Sequence, residues 1–360
     1  MKTNQKIPYG ISDFEKLITQ NCYFSDNTPY IELLENMGES YLFFFRPRRF
    51  GKSLFLSMLS YYYGIQHKDK FEALFGAQYI GKHPTPLANQ YAVLVFNFSG
   101  IDTTSPDKTH EAFLESIKIS IEKFIEEYLP NITKEDLNEI LSKKSPASVI
   151  NKFFKYCKHL KIYLLIDEYD HFTNEILAYD FGQFKEIVTG DGYVRKFYEI
   201  IKNATWEGIV DRILMMGVTP VTLDSLTSGF NIGLNISDTL VMHEMLGFTH
   251  VQVEELVEAF IKPDTTYKAF MMSELKKWYN GYKFTKKAKQ LLYNPDMVLY
   301  FLSRYQLQQD FPDKMLDTNI ASDYGKMKNI FRIKNPEQND EVLKDIVEGK
   351  DLYAMLTQQF

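Results

Sequence analysis

Four short runs along the chain, at residues 41–45, 92–98, 162–166 and 213–218, are apolar on both faces. Runs of this length, rich in aromatic and aliphatic side chains, suit the central strands of a parallel sheet, which is covered on both sides. Helical patterns lie between them, at 54–63, 112–127, 146–160 and 193–202. In the second of these, Phe113, Ile117, Ile121 and Phe124 recur at three-to-four spacing. Strands alternating with helices predict an α/β fold with right-handed crossovers. After about residue 248 the pattern becomes helical only, at 251–261, 267–278 and 294–305. From 306 to 360 the chain is polar, with a weak helix at 341–347. These divisions predict three parts: a core over 1–248, a helical lid over 249–305, and a polar helical linker or appendage over 306–360.

The first run leads directly into Arg46-Pro47-Arg48-Arg49-Phe50-Gly51-Lys52-Ser53-Leu54 and then a helix. Strand, turn, Gly-Lys-Ser/Thr and helix is the order of a phosphate-binding loop. The helix start offers N–H groups and a positive dipole end to a phosphate, and Gly51 lets the backbone approach it closely. Lys52 would reach the outer phosphates, and the Ser53 hydroxyl would ligate Mg2+. The usual pattern has a glycine where this chain has Arg46, so the loop departs from the strict form.

A second signal closes the third run, which reads Ile162-Tyr163-Leu164-Leu165-Ile166-Asp167-Glu168. An apolar strand ending in Asp-Glu is the Walker B form: Asp167 would hold the metal and Glu168 would polarise the attacking water. Such a strand end alone is weak, because acids commonly cap strands; its order after the loop strengthens both. The fourth run ends in Gly217-Val218-Thr219-Pro220. In phosphate-loop ATPases with an added strand between the two Walker strands, a polar residue here senses the terminal phosphate, which nominates Thr219; a plain turn is the alternative. The run at 92–98 is the inserted strand in chain order. The Asn-Lys-x-Asp signature of guanine readers is absent, so ATP is favoured over GTP.

These residues carry a resemblance. The chain resembles the bacterial AAA-ATPase-like family, whose members are often fused to a C-terminal PD-(D/E)XK nuclease-like domain. The matching segments are Ile7-Pro8-Tyr9-Gly10, Asp26 with Thr28, the loop from Arg46 to Ser53, and Asp167-Glu168-Tyr169-Asp170. Gly217-Val218, Ser228-Gly229-Phe230-Asn231 and Leu246-Gly247-Phe248-Thr249 follow, then Tyr279-Asn280-Gly281-Tyr282 and Tyr293-Asn294-Pro295. Asn27 stands where the family usually has lysine. The resemblance implies a three-layer P-loop NTPase core of the additional-strand type, ATP and Mg2+ as cofactors, and a loop in which Arg46 is normal. It also implies control of an attached or partner nuclease-like effector. No nuclease motif follows residue 300. A nucleotide-held switch or scaffold with little turnover is the alternative function.

Composition narrows the remaining choices. A net charge of −6 argues against a protein coated in nucleic acid. Cys22 and Cys157 build neither a disulfide framework nor a cysteine zinc site, which suits the cytoplasm. No run approaches a membrane span, and no apolar stretch follows Met1 as in a secretory signal. His243-Glu244-Met245-Leu246-Gly247 starts like a zinc-protease helix but lacks the second histidine, and no Gly-x-Ser-x-Gly elbow occurs. Arg48 and Arg49 either meet phosphates or nearby carboxylates, or form a solvated loop. Arg195 and Arg212 are candidates for an arginine against the terminal phosphate, which a neighbouring copy in an oligomer could also supply. Residues 276–289 hold six lysines and no acid, interleaved with Trp278, Tyr279, Tyr282 and Phe284. Nucleic-acid contact is one reading; rings that pack a lid, with wet lysines outside, is the favoured one.

Overall fold

The computed structural model describes residues 5–220, 222 and 230–317. Five parallel strands form one sheet: β1 Tyr41–Phe45, β2 Ala92–Asn97, β3 Ile162–Asp167, β4 Val210–Gly217 and β5 Leu234–Asn235. Their spatial order is β2-β3-β4-β1-β5. β4 therefore separates β1 from β3, giving the additional-strand arrangement of a P-loop NTPase core, while β2 lies at the edge. Both Walker motifs leave the same end of the sheet, because β1, β4 and β3 are parallel and in register.

Side chains alternate across the sheet with a period of two. Phe43 and Phe45 of β1, Leu164 and Ile166 of β3 and Met215 of β4 enter one core layer. Leu42, Phe44, Leu165, Leu214 and Met216 enter the other. The first layer is closed by helices Pro106–Tyr128, Pro146–Phe154 and Tyr193–Trp206; the second is closed chiefly by Lys52–Tyr63. All six residues of β3 are buried, as its central place demands. Val95, on edge strand β2, is exposed.

Polar caps set several helix starts: the helix expected from 112 begins at Pro106, while the one expected from 146 begins there. Ser105 accepts from the Lys108 amide ahead of Pro106, and Ser145 does the same for Ser148 ahead of Pro146. Proline at the first helical position costs no hydrogen bond, since that N–H has no intrahelical partner. The helix expected over 146–160 stops at Phe154. The amides of Tyr156 and Cys157 bond three residues back, and this tighter winding buries Cys157 in the core.

Helices His250–Phe260, Thr265–Tyr279 and Pro295–Gln308 form a third apolar cluster, which Tyr23 joins from the N-terminal segment. The expectation of helices alone after 248 needs one correction: β6 Asn280–Tyr282 and β7 Leu292–Tyr293 pair antiparallel. Strands of two and three residues leave no periodicity to read. The helix expected at 341–347, and the Ser228-Gly229 half of the Ser-Gly-Phe-Asn segment, lie outside the described residues.

Candidate nucleotide site

β1 hands the chain to the loop while the Arg46 amide still bonds the Gly217 carbonyl of β4 at 3.1 Å. Two residues then turn left-handed, Arg49 at φ 67° and Gly51 at φ 90°. Gly51 caps helix Lys52–Tyr63, whose first-turn N–H groups face the loop's interior. The Lys52 ammonium folds back over this space. It donates to the carbonyls of Arg46 at 2.9 Å and Pro47 at 3.0 Å. Burial pushes Lys52 below the ordinary lysine range, so an arriving phosphate would meet a poorly solvated cation.

The Ser53 hydroxyl donates to Asp167 Oδ2 at 2.5 Å. This bond joins the first helical turn to the end of β3. Asp167 is nearly fully buried, and burial raises its carboxyl above the usual range. The next residue, Glu168, is left-handed at φ 49°, a conformation that costs a residue with a Cβ roughly 1 kcal/mol. Its amide donates to Asp167 Oδ1 at 3.0 Å, and the residue lines the cleft. The cleft measures about 670 Å³ and is lined by Gly51, Lys52, Ser53 and Glu168, well within the size range of small-molecule sites.

Residues 8–227 match the family described as "Predicted AAA-ATPase". The chain belongs to this AAA-ATPase-like family. An uncharacterized protein in the vnfD 5′ region of Azotobacter chroococcum mcd 1 is 26% identical over 317 residues. The match takes in 84% of this chain and 53% of that protein, so the chain spans about half the length of its curated relative. A Walker-type ATPase of Pyrococcus abyssi superposes with a TM-score of 0.43 at 12% identity, over 90% of this chain and 72% of its own.

In this AAA-ATPase-like chain the four residues from Arg46 to Arg49 have separate fates. Arg46 is 1% exposed. Its guanidinium donates to the carbonyls of Phe45, Ser237 and Met242, each at 2.8 Å. It is stacked between Phe44 and Phe284, at 4.1 and 3.9 Å from their ring centres. The side chain at the usual glycine position is thus drawn into the packing beside β5, and burial lowers its pKa to about 9. Pro47 contributes its carbonyl to Lys52. Arg48 reaches His171 Nδ1 at 2.9 Å. Arg49 meets carboxylates, though not those near Asp170: it pairs with Asp296 at 2.6 Å and Asp317 at 3.3 Å. Tyr9 donates to the same Asp317 oxygen at 2.5 Å, so the loop, the N-terminal segment and the stretch that follows helix Pro295–Gln308 meet at one carboxylate. Phe50 is buried against Tyr282 and Phe284. Leu54 lines the cleft.

Thr219 follows β4, close to the Walker B turn. Its amide donates to Asp170 Oδ2 at 2.7 Å, and its hydroxyl lies 3.2 Å from both Asp170 Oδ2 and Asn174 Oδ1. Asp170 is fully buried and also accepts from the amide of Val218 and the side chain of Asn174. The last Asp of the Asp-Glu-Tyr-Asp segment therefore clamps β4's exit to β3's exit, a role that its polarity alone did not reveal. The clamp leaves no room at Gly217, where a Cβ would lie 2.4 Å from Asp170 Oδ1 and from the Tyr169 ring. Gly217→Ala is expected to destabilise the protein by about 2 kcal/mol, the scale of overpacking. Chemical denaturation would measure this; an unchanged midpoint would refute the clamp.

Arg212 pairs in register with Tyr163, four residues before Asp167 and so at the opposite end of the strand. The Arg195 Nε donates to Glu199 at 3.0 Å. The quoted segments near the termini, by contrast, converge on the cleft: Pro8, Gly10, Asp26, Gly247, Phe248 and Pro295 all line it. In sequence these segments are family matches only; the fold gives them their place.

In the segment 276–289, Tyr279 is buried and Tyr282 and Phe284 pack on Phe50. The six lysines are exposed, and Trp278 is 41% exposed. With three of four rings occupied, single-stranded DNA is expected to bind more weakly than micromolar. Changing Lys283, Lys286 and Lys287 to Glu should alter that little. Fluorescence anisotropy across a salt series is the measurement; a tight, salt-sensitive complex lost in the triple variant would reverse the assignment.

Proposed function

We propose that this chain binds ATP and hydrolyses it with Mg2+, and that its nucleotide state regulates an attached or partner effector, such as a nuclease-like domain. The Ser53–Asp167 hydrogen bond, with Glu168 lining the cleft beside it, carries this reading. Asp167 and Ser53 offer a carboxylate and a hydroxyl oxygen, the hard donors that suit Mg2+. They would hold the metal, and bound there it would neutralise phosphate charge. Among the described residues there is no cluster of three or more His, Cys, Asp or Glu that could hold a metal, which fits an ion that takes its other ligands from substrate and water.

The chain's own groups then divide the work. Lys52 and the helix N-terminus bind phosphate oxygens, and Glu168 accepts a proton from the attacking water. We assign residues 1–248 to the nucleotide core and 249–305 to the lid, with 306–360 leading away from it. The alternative of a switch with little turnover drew on the missing loop glycine. The inward packing of Arg46 weighs against that argument and supports turnover. Phosphate release by the purified chain, with ATP and Mg2+ against ATP and a chelator, tests the proposal; nucleotide binding without release would favour the switch. Among the described residues no helix is long and apolar enough to cross a membrane.

A further inference from the structure

Resting on the ATPase reading above, we propose that Arg49 exchanges the carboxylates of Asp296 and Asp317 for a nucleotide phosphate, and so passes the state of the site to helix Pro295–Gln308 and the stretch after it. Arg49 stands just before Phe50 and Gly51 and lines the same cleft as Gly51, Lys52 and Ser53. Asp296, in the first turn of that helix, lines it too. The Arg49 guanidinium meets Asp296 Oδ2 at 2.6 Å and Asp317 Oδ2 at 3.3 Å. A residue of the phosphate-binding loop is therefore tied to acids 247 and 268 residues further along the chain.

This tie can give way. The Arg49 side chain is 32% exposed and that of Asp296 17%, and an ion pair this open is weakly held. Arg49 also sits at φ 67°, a left-handed backbone that disfavours any residue with a Cβ. A phosphate offers the planar guanidinium a two-pronged contact of matching geometry, with more negative charge than one carboxylate carries. Each acid keeps a partner when Arg49 turns to phosphate. Asp296 stays beside the positive end of the helix dipole, and the Tyr9 hydroxyl still donates to Asp317. Burial, and then the Asp317 carboxylate, push that hydroxyl up to about 12, so it remains a donor.

Lys52 cannot carry the same message. Its printed partners are two carbonyls of its own loop, so its movement toward phosphate stays local. The partners of Arg49 belong to the lid helix and to the stretch just before residues 318–360, which we assign to leading away from the core. Phosphate at Arg49 loosens both from the loop, which links the nucleotide site to an effector beyond them. Linkage makes the coupling reciprocal: whatever draws Asp296 away from Arg49 raises phosphate affinity by the same factor.

Binding of a fluorescent ATP analogue, paired with chemical denaturation of the same full-chain variants without nucleotide, tests the exchange. Asp296→Asn should tighten analogue binding by about threefold, the scale of a part-exposed ion pair, because Arg49 then has one competitor fewer. Arg49→Ala should weaken it by about tenfold, the scale of a lost charge-assisted bond. In the Arg49→Ala background, Asp296→Asn should change affinity by less than about 1.5-fold. In denaturation both single variants should lower the midpoint, and the double variant should lower it by less than their sum. A merely structural pair would not give affinity changes of opposite sign. An Asp296→Asn protein that binds the analogue no tighter than wild type would overturn the proposal. So would an equal gain with and without Arg49, which is bare charge repulsion in the cleft. If Asp296→Asn does not fold, Asp296→Ser takes its place in the same cycle. A wild type that binds no analogue, or a Lys52→Ala variant that binds it as well as wild type, would instead sink the nucleotide reading itself, a result distinct from any outcome of the Arg49 cycle.

Discussion

Lys52→Ala is expected to abolish useful nucleotide binding, weakening it by at least about a hundredfold. The ammonium lies over the loop, held by the carbonyls of Arg46 and Pro47. It is buried enough that desolvation depresses its pKa. A triphosphate offers this cation stronger partners than two neutral carbonyls, and hydrogen bonds to charged groups contribute about 1.5–3 kcal/mol each. Alanine removes that gain and also leaves the two carbonyls without their donor. Titration with a fluorescent ATP analogue measures the loss, and a thermal melt verifies that the variant folds. Unchanged affinity in a folded variant would end the phosphate-loop assignment.

Glu168→Gln should separate binding from turnover. Glutamine keeps the shape of the side chain and faces the same left-handed backbone at φ 49°, so the turn out of β3 is equally strained in both proteins. What disappears is the carboxylate proposed to take the water's proton. Analogue affinity should stay within about threefold of wild type, while phosphate release falls by roughly a hundredfold or more, the scale of a lost general base. A variant that turns over ATP at the wild-type rate would reduce Glu168 to a strand end.

The two variants probe residues that the sequence already singled out, and the reason is local. Gly51-Lys52-Ser53 and Asp167-Glu168 stand at the start of a helix and the end of a strand, so their placement follows from backbone geometry that periodicity reveals. The four long strands were legible for a related cause, since both faces of a central strand must be apolar. β5 and the β6–β7 pair were not, because two or three residues carry no period and exist only through partners: Leu42 and Phe43 for β5, and Phe248 for β7.

Arg46, Arg48 and Arg49 mark the limit most clearly. They stand within four positions, share one chemistry, and by sequence form a single basic loop. Tertiary structure sends one into the core between Phe44 and Phe284, one to His171, and one to Asp296 and Asp317. Thr219 is a similar case: its polarity was visible, while its engagement by Asp170 depended on β4 lying between β1 and β3. By itself the sequence determined which backbone segments form the nucleotide core and which short motifs leave its strands, because burial pattern and turn chemistry act over neighbouring residues. Only the tertiary structure decided where each long polar side chain goes, because a flexible cation or hydroxyl settles on whichever acceptors distant segments bring within about 3 Å.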